Sequence, residues 1–326
     1  MTSAVLVAGG AGYIGAQTCK ALHGAGYLPV TIDNLVTGYE PAVKWGPLIK
    51  ADIADHAAVV EAVKTYDIKS AIHFAAYSLV GESTKNPAKY YKNNVGAALA
   101  FTEALVESGV ENIVFSSTAA AYGVPAVSPI PEKHPLQPIN PYGGSKIAFE
   151  QALHWMSTAH PLRYTILRYF NAAGADLDGD IGESHVPETH LIPLICQAAI
   201  GVGKSLTVYG TDYDTPDGTA IRDYIHVADL AEAHVAAIRR LLAGGDSQIF
   251  NVGTGEGVTV LDVLKTAEQV MQKPVPHNFG PRRDGDPVAL VADVSHIQAT
   301  LDWTPKYSDL PTIIRTAANW QMNKLY

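Results

Sequence analysis

The chain has 326 residues, 47% hydrophobic and 17% charged, with a formal net charge of -9. That suits one large domain or two interlocked ones around a sizeable core, and it excludes a disordered chain. An acidic balance without a basic stripe excludes non-specific nucleic-acid binding, and no run approaches the ~18–20 apolar residues needed to span a bilayer.

The opening MTSAVLVAGGAGYIG lacks a basic start and its apolar run breaks into glycines, so no signal peptide is expected. Strand-like runs lie at 4–8, 29–33, 48–52, 70–75, 113–117, 165–169 and 247–252. Helix-like stretches lie between them, clearest at 90–106, 142–156 and 228–242. This alternation predicts an α/β fold, a Rossmann-like doubly wound parallel sheet with helices on both faces. After Ala172, Gly, Pro and Asp punctuate the chain (GADLDGDIGE, YGTDYDTPDGT, FGPRRDGDP), the mark of long loops on a smaller scaffold. The expected division is a nucleotide-binding domain over 1–170, to which 221–252 returns, and a smaller C-terminal α/β substrate-binding domain over 171–326. Cys19 and Cys196 belong to no CxxC pair, so a reducing, cytoplasmic setting is expected.

Gly9, Gly12 and Gly15 punctuate a run that passes directly from strand into helix. Glycines there allow a tight turn and close approach to a pyrophosphate, which the N–H groups and positive end of the following helix would hold. A turn made for packing alone is the competing reading. Asp33 ends the second strand, eighteen residues after Gly15. An acid there can accept from both ribose hydroxyls and repels a 2′-phosphate, which favours NAD over NADP. Asp52 reads equally as an adenine contact or as a loop acid before Ala54.

Tyr142 and Lys146 are four residues apart in a helical stretch, so they share a face. Thr118 follows a strand, at the end where sites collect in this architecture. An ordinary tyrosine, with pKa about 10, is too protonated to act as a base near neutral pH. A lysine ammonium at roughly 4 Å contributes about 4 kcal/mol at an effective dielectric near 20. That corresponds to a lowering of up to ~3 units. A solvated helix face is the alternative, and the upstream glycine loop favours catalysis over it. His226 and His234, eight apart without an acidic partner at ligand spacing, are expected to be packed or solvent-facing rather than to bind metal.

The segments GGAGYIG, YYKNNV, FSSTAAAYG, NPYGGSK, LRYFNAAGA, HLIP, RDYIHVADLA and PRRDGD make the chain resemble the extended short-chain dehydrogenase/reductase family, in its UDP-glucose 4-epimerase branch. The resemblance covers nearly the whole length. It implies a homodimeric isomerase that uses bound NAD to interconvert UDP-glucose and UDP-galactose through a 4-keto sugar. Tyr142, Lys146 and Thr118 would be its catalytic residues. Around NAD it implies Gly9, Gly12, Tyr13, Ile14, Gly15, Asp33, Asn34, Leu35, Asp52, Ile53, Phe74, Ala75, Ala76, Asn93, Tyr142, Lys146 and Phe170. For the UDP-sugar it implies Thr118, Tyr142, Asn171, His190, Leu191, Tyr209, Arg222, Arg283 and Asp286. Arg222 and Arg283 suit a diphosphate because guanidinium forks grip phosphate bidentately; ion pairs with neighbouring Asp223 or Asp284 are the alternative.

Three positions depart from other members: Ser78 replaces a lysine near the cofactor, Thr189-His190 replaces paired asparagines, and Leu290 is intermediate in size at a position that sorts N-acetylated sugars. Another UDP-sugar, such as a UDP-pentose or UDP-N-acetylglucosamine, is therefore the alternative substrate. Related dehydratases carry acidic residues after the threonine. Here Ala119, Ala120 and Ala121 follow Thr118 and cannot transfer protons. Non-catalytic relatives often lose the tyrosine or lysine, and this chain keeps both.

Overall fold

A computed structural model describes residues 3–203, 205–283 and 285–326. In chain order its elements begin β1 (Ala4–Ala8), α1 (Tyr13–Gly24), β2 (Leu28–Asp33), β3 (Leu48–Lys50), α2 (His56–Tyr66), β4 (Ser70–His73), α3 (Val80–Lys85), α4 (Pro87–Tyr91), α5 (Ala98–Glu107), β5 (Asn112–Thr118), α6 (Pro141–Ala159) and β6 (Arg163–Tyr169). They continue with β7 (Asn171–Ala173), α7 (Leu191–Ala199), β8 (Leu206–Tyr209), β9 (Ile221–Arg222), β10 (Tyr224–His226), α8 (Val227–Leu242), β11 (Gln248–Val252), β12 (Val258–Thr259), α9 (Val260–Met271), β13 (His277–Gly280), β14 (Ala289–Leu290), α10 (Ser295–Leu301) and α11 (Leu310–Met322).

Seven strands form one parallel sheet in the order β11-β6-β5-β4-β1-β2-β3. Successive side chains of a strand face opposite sides, so each strand feeds two cores. Val5 and Val7 of β1 enter one, with Cys19 and Leu22 of α1 and Leu230 and Ile238 of α8. Ala4, Leu6 and Ala8 enter the other, with Val59 of α2, Phe101 of α5 and Phe149 of α6. The strand order reverses between β1 and β4, and the crevice beyond their carboxyl ends is where such sheets bind ligands. This is the doubly wound α/β arrangement that the strand–helix alternation predicts.

A third core joins α7, α9, α11 and β8 through Ile192, Ile195, Val263, Leu264, Ile313, Ile314, Leu206 and Val208. Within 221–252, α8 and β11 join the main sheet, whereas β9 pairs with β12 and β14, and β10 with β7.

The stretch 90–106, expected as one helix, is interrupted. A π turn over Lys92–Ala97 separates α4 from α5. There Asn94 is 1% exposed, accepts from Tyr77 N–H at 2.9 Å, and donates to Tyr77 O and Ser145 Oγ. A wider turn that swings a polar side chain inward is the usual form of such an insertion, which often marks a functional site.

Candidate active site

The β1–α1 turn is built to admit something close to its backbone. Gly9 has φ +82°, and a Cβ on it would lie 2.7 Å from Ala75 N. A Cβ on Gly15 would lie 2.1 Å from Gly9 O. Gly12 is the N-cap of α1 and provides no side chain to cap the first turn, so the N–H groups at that end suit an anion. The loop thus fits a dinucleotide pyrophosphate.

Asp33 closes β2 with 7% exposure. Its Oδ2 accepts from Ala11 N–H at 3.0 Å and its Oδ1 from Leu35 N–H at 2.8 Å. Burial raises its pKa, and those two N–H bonds oppose the rise. Each oxygen keeps a lone pair that a ribose hydroxyl can use. Asp52 caps locally, accepting from Ala54 N–H at 2.9 Å and from Asn34 Nδ2 at 2.8 Å. Ile53 is buried; Phe74 and Ala75 both donate backbone N–H to Ala8 O, and the Phe74 ring packs 4.7 Å from that of His234. Ala76 and Asn93 are half-buried, and Asn93 Nδ2 donates to Asn94 Oδ1 at 3.0 Å. Ser78 is exposed.

Asn140 caps α6 by accepting from Gly143 N–H at 2.9 Å, with Pro141 in the first helical position. That start places Tyr142 in the first turn and Lys146 one turn later, on the stripe that continues through Phe149 and Leu153 into the sheet. Burying each of those last two contributes about 1.5–3 kcal/mol. Thr118 ends β5, and its Oγ1 accepts from Ala120 N–H at 3.1 Å.

The Tyr142 phenol is buried at the start of α6. Its pKa is raised by burial, while a hydrogen bond with Thr118 acts the other way. Lys146 Nζ donates to Ser116 O at 2.8 Å and lies 6.0 Å from the Tyr142 ring centroid. The amine therefore stands beside the Tyr142 ring, on the face that the four-residue spacing predicts, and is seated on a β5 carbonyl. Burial also pulls Lys146 down to about 7, against the opposing pull of Glu150.

Under this end of the sheet lies a buried network that sequence reading missed. Arg168 and Glu150 form an ion pair at 2.6 Å with side-chain exposures of 4% and 5%. Ser117 Oγ donates to Glu150 Oε1 at 2.5 Å, and Arg168 Nη1 donates to Tyr122 OH at 3.2 Å. An arginine inside the apolar run TILRYF was its signal.

A second group gathers at β9 and β14. Arg222 Nη2 donates to Asp286 Oδ1 at 2.7 Å, and its Nη1 to Pro287 O at 3.0 Å. Arg283 Nη2 reaches Asp286 Oδ2 at 3.2 Å, and its guanidinium lies 4.9 Å from the Tyr209 ring centroid. Arg222 thus pairs with Asp286 and not with neighbouring Asp223; Asp284 lies outside the described residues. Asp223, fully buried, instead takes four donors, from Thr254 (N and Oγ1), Gly255 N and Ala292 N. Leu290 pairs with Arg222 in the β14–β9 ladder.

Asn171 Nδ2 donates to Asp223 O at 2.9 Å, and Tyr13 OH to Gly174 O at 2.6 Å, which ties the two halves together. Phe170 is buried between them, directly after β6. His190 caps α7, which Leu191 opens, and its ring faces Glu183; Thr189 is exposed. His226 and His234 are both fully buried and hydrogen-bonded, His226 to Thr316 and His234 to Ser116 and Leu230 O.

The profile of the NAD dependent epimerase/dehydratase family matches residues 5–253. The UDP-glucose 4-epimerase of Lacticaseibacillus casei is 47% identical over 324 residues, covering 99% of this chain and 97% of that protein. That of Rhizobium meliloti is 49% identical, covering 98% and 97%. The crystal structure of the Brucella ovis UDP-glucose 4-epimerase in complex with NAD superposes with a TM-score of 0.96 at 49% identity, covering 97% of this chain and 98% of that one. The chain belongs to the NAD dependent epimerase/dehydratase family.

Proposed function

We propose that this chain is an NAD-dependent isomerase that interconverts UDP-glucose and UDP-galactose by inverting C4 of the hexose. The observation that carries this is the hydrogen-bonded Thr118–Tyr142 pair at the carboxyl end of β5, in a chain that also has a glycine cradle after β1 and an Arg222–Arg283–Asp286 group. Whole-length relatives named as UDP-glucose 4-epimerases support the same reading.

NAD, when bound, would supply the acceptor and donor for the hydride of C4. Gly9, Gly12, Gly15 and the α1 N-terminus would hold its pyrophosphate and Asp33 its ribose, with Tyr13, Ile14, Asn34, Leu35, Asp52, Ile53, Phe74, Ala75, Ala76, Asn93 and Phe170 lining its site. Tyr142 Oη takes the proton of the 4-hydroxyl and gives it back; Thr118 Oγ1 holds the reacting oxygen. Lys146 anchors the cofactor side from its seat on Ser116 O. Arg222 and Arg283 grip the diphosphate, Asp286 positions Arg222 and meets the uridine ribose, and Asn171, His190, Leu191 and Tyr209 complete the nucleotide pocket. Anchoring the nucleotide leaves the hexose free to turn over between the two transfers.

Residues 1–170 with α8 and β11, the part of 221–252 that returns to the main sheet, form the cofactor-binding part of this scheme and the remainder of 171–326, Arg222 included, the substrate part. We propose a homodimer as well, supported by Trp155 standing 68% exposed on the outer face of α6. A cytoplasmic location accompanies the sequence reading; no described helix is long and apolar enough to cross a membrane. The test is to incubate the purified protein, without added NAD, with UDP-glucose, UDP-galactose, UDP-N-acetylglucosamine and UDP-xylose and to separate the products. Conversion at C4 with no net NAD consumed is expected; a 6-deoxy product, or no C4 epimer, overturns the reading.

A further inference from the structure

Between β7 and α7 the chain runs GESHVPETH, and four side chains of this loop turn inward on one another. One ligand atom each from Glu183, His185, Glu188 and His190 lies within 4.8 Å of all the others. His185 Nδ1 is 3.0 Å from Glu183 Oε1, His190 Nδ1 is 3.7 Å from Glu188 Oε1, and His185 Nδ1 is 4.0 Å from Glu188 Oε1; His190 Nδ1 sits closer still to Glu183 Oε1. Tetrahedral ligands about 2.0–2.1 Å from a zinc ion lie roughly 3.4 Å apart, a value these separations bracket.

Hydrogen bonding leaves this cluster incomplete. His185 Nδ1 is within reach of a carboxylate oxygen yet is buried and makes no hydrogen bond with it. The Glu188 side chain is 6% exposed, and its Oε2 has no partner at all. The Glu183 side chain is 3% exposed, and among the described residues its ion-pair partners are the two imidazoles. Two buried carboxylates beside two imidazoles form a mixed donor set whose negative charge one divalent ion can balance, displacing the proton that His190 shares with Glu183.

We infer that Glu183, His185, Glu188 and His190 bind one zinc ion per chain. Mixed nitrogen and oxygen donors in a tetrahedral arrangement suit zinc, whereas calcium and magnesium want six or more oxygens. The carboxylate of Glu188 is already oriented, since Oε1 accepts N–H bonds from Thr189 at 2.8 Å and His190 at 2.9 Å. Glu183 is fixed from behind by Trp320 Nε1, which donates to its carbonyl at 3.0 Å. The ion therefore fastens the loop that leads into Leu191 onto the C-terminal helix α11. His190, 47% exposed, marks the side from which it enters. The neighbouring Asp176–Asp178–Asp180 cluster is a different case: Lys20 Nζ lies 2.8, 2.6 and 3.9 Å from its three carboxylates, so an ammonium already neutralises it.

Tag-free protein stripped with a chelator and titrated calorimetrically with zinc tests the site. One equivalent of zinc, a higher Tm with zinc present, and the tetrahedral absorption spectrum of bound cobalt are expected. Glu188→Gln, which keeps shape and removes the anion, and His185→Ala should each weaken zinc binding at least tenfold. His154→Ala, an exposed histidine elsewhere, should leave it unchanged. No stoichiometric binding by the wild-type chain overturns the site, as does an octahedral cobalt spectrum or equal loss in His154→Ala. If His185→Ala does not fold, the wild-type stoichiometry and Glu188→Gln decide.

Discussion

The cofactor end and the substrate end of the proposed site are made of different material. The cofactor end is largely main chain: the Gly9–Gly15 turn, the open start of α1, and an aspartate whose two oxygens brace Ala11 and Leu35. The substrate end is made of side chains from distant segments, with Arg222 and Asp286 meeting across 64 residues. A backbone-built site is fixed by local geometry, so a small change to it acts sterically. A side-chain-built site is fixed by charge, so its parts act as pairs. The contrast can be broken or sharpened by substitution.

The largest effect is expected where the two ends meet. Tyr142→Phe should lower kcat by about 10²–10⁴-fold, the usual range for removing an acid–base group, while NAD stays bound. Turnover measured beside the NAD content of the purified variant checks this; undiminished turnover removes the assigned base. Gly15→Ala should act on the cofactor end alone. Its Cβ would collide with Gly9 O at 2.1 Å, and overpacking of this kind costs about 1–3 kcal/mol. A loss of NAD affinity of roughly 10–100-fold is expected by calorimetry, with little change in UDP binding.

Arg222→Ala should do the reverse, raising KM for the UDP-sugar about tenfold and sparing NAD, since a charge-assisted bond is worth about 1.5–3 kcal/mol. The double variant with Asp286→Ala sharpens the point. If the two act as one unit, the second substitution adds much less than it costs alone.

The same contrast decides what could be read from sequence. The parallel sheet was legible because a buried strand is a short apolar run and the strand–helix rhythm repeats. The glycine spacing, Asp33 at the end of β2 and the four-residue step from Tyr142 to Lys146 are local patterns, each with a direct geometric meaning. The electrostatics of that step were not legible: spacing puts Lys146 on the same face as Tyr142 but cannot show that its amine is seated on Ser116 O. Nor could it show that burial dominates the phenol. Convergent groups were legible only through resemblance, as with Arg222, Arg283 and Asp286. The Arg168–Glu150 pair, the four-donor seat of Asp223 and the Glu183–His190 cluster escaped, because each depends on chain segments that only the fold brings together or on a loop conformation that spacing does not determine.

The smallest expected effect concerns acid. His234 lies beneath the cofactor end, bonded to Ser116, and His226 beside the third core, bonded to Thr316. Burial lowers both to about 4, and His73, caged by Phe101, Phe115 and Phe149, to about 3. In the unfolded chain these rings take a proton near pH 6.5. Between pH 6.5 and 4 the unfolded chain therefore binds more protons than the folded one, so stability is present above that window and falls as the pH drops through it. At pH 5 each ring lowered to about 4 costs about 2 kcal/mol, worth roughly 3 °C in Tm for a chain of this size. His234→Gln and His226→Gln should each flatten the fall in Tm between pH 7 and pH 5 by that amount, read by scanning calorimetry. Equal relief in one shared transition means that both ends unfold as one cooperative unit. Relief confined to one of two transitions means that the main-chain end and the side-chain end are energetically separate, and neither flattening would mean that the rings are not buried neutral.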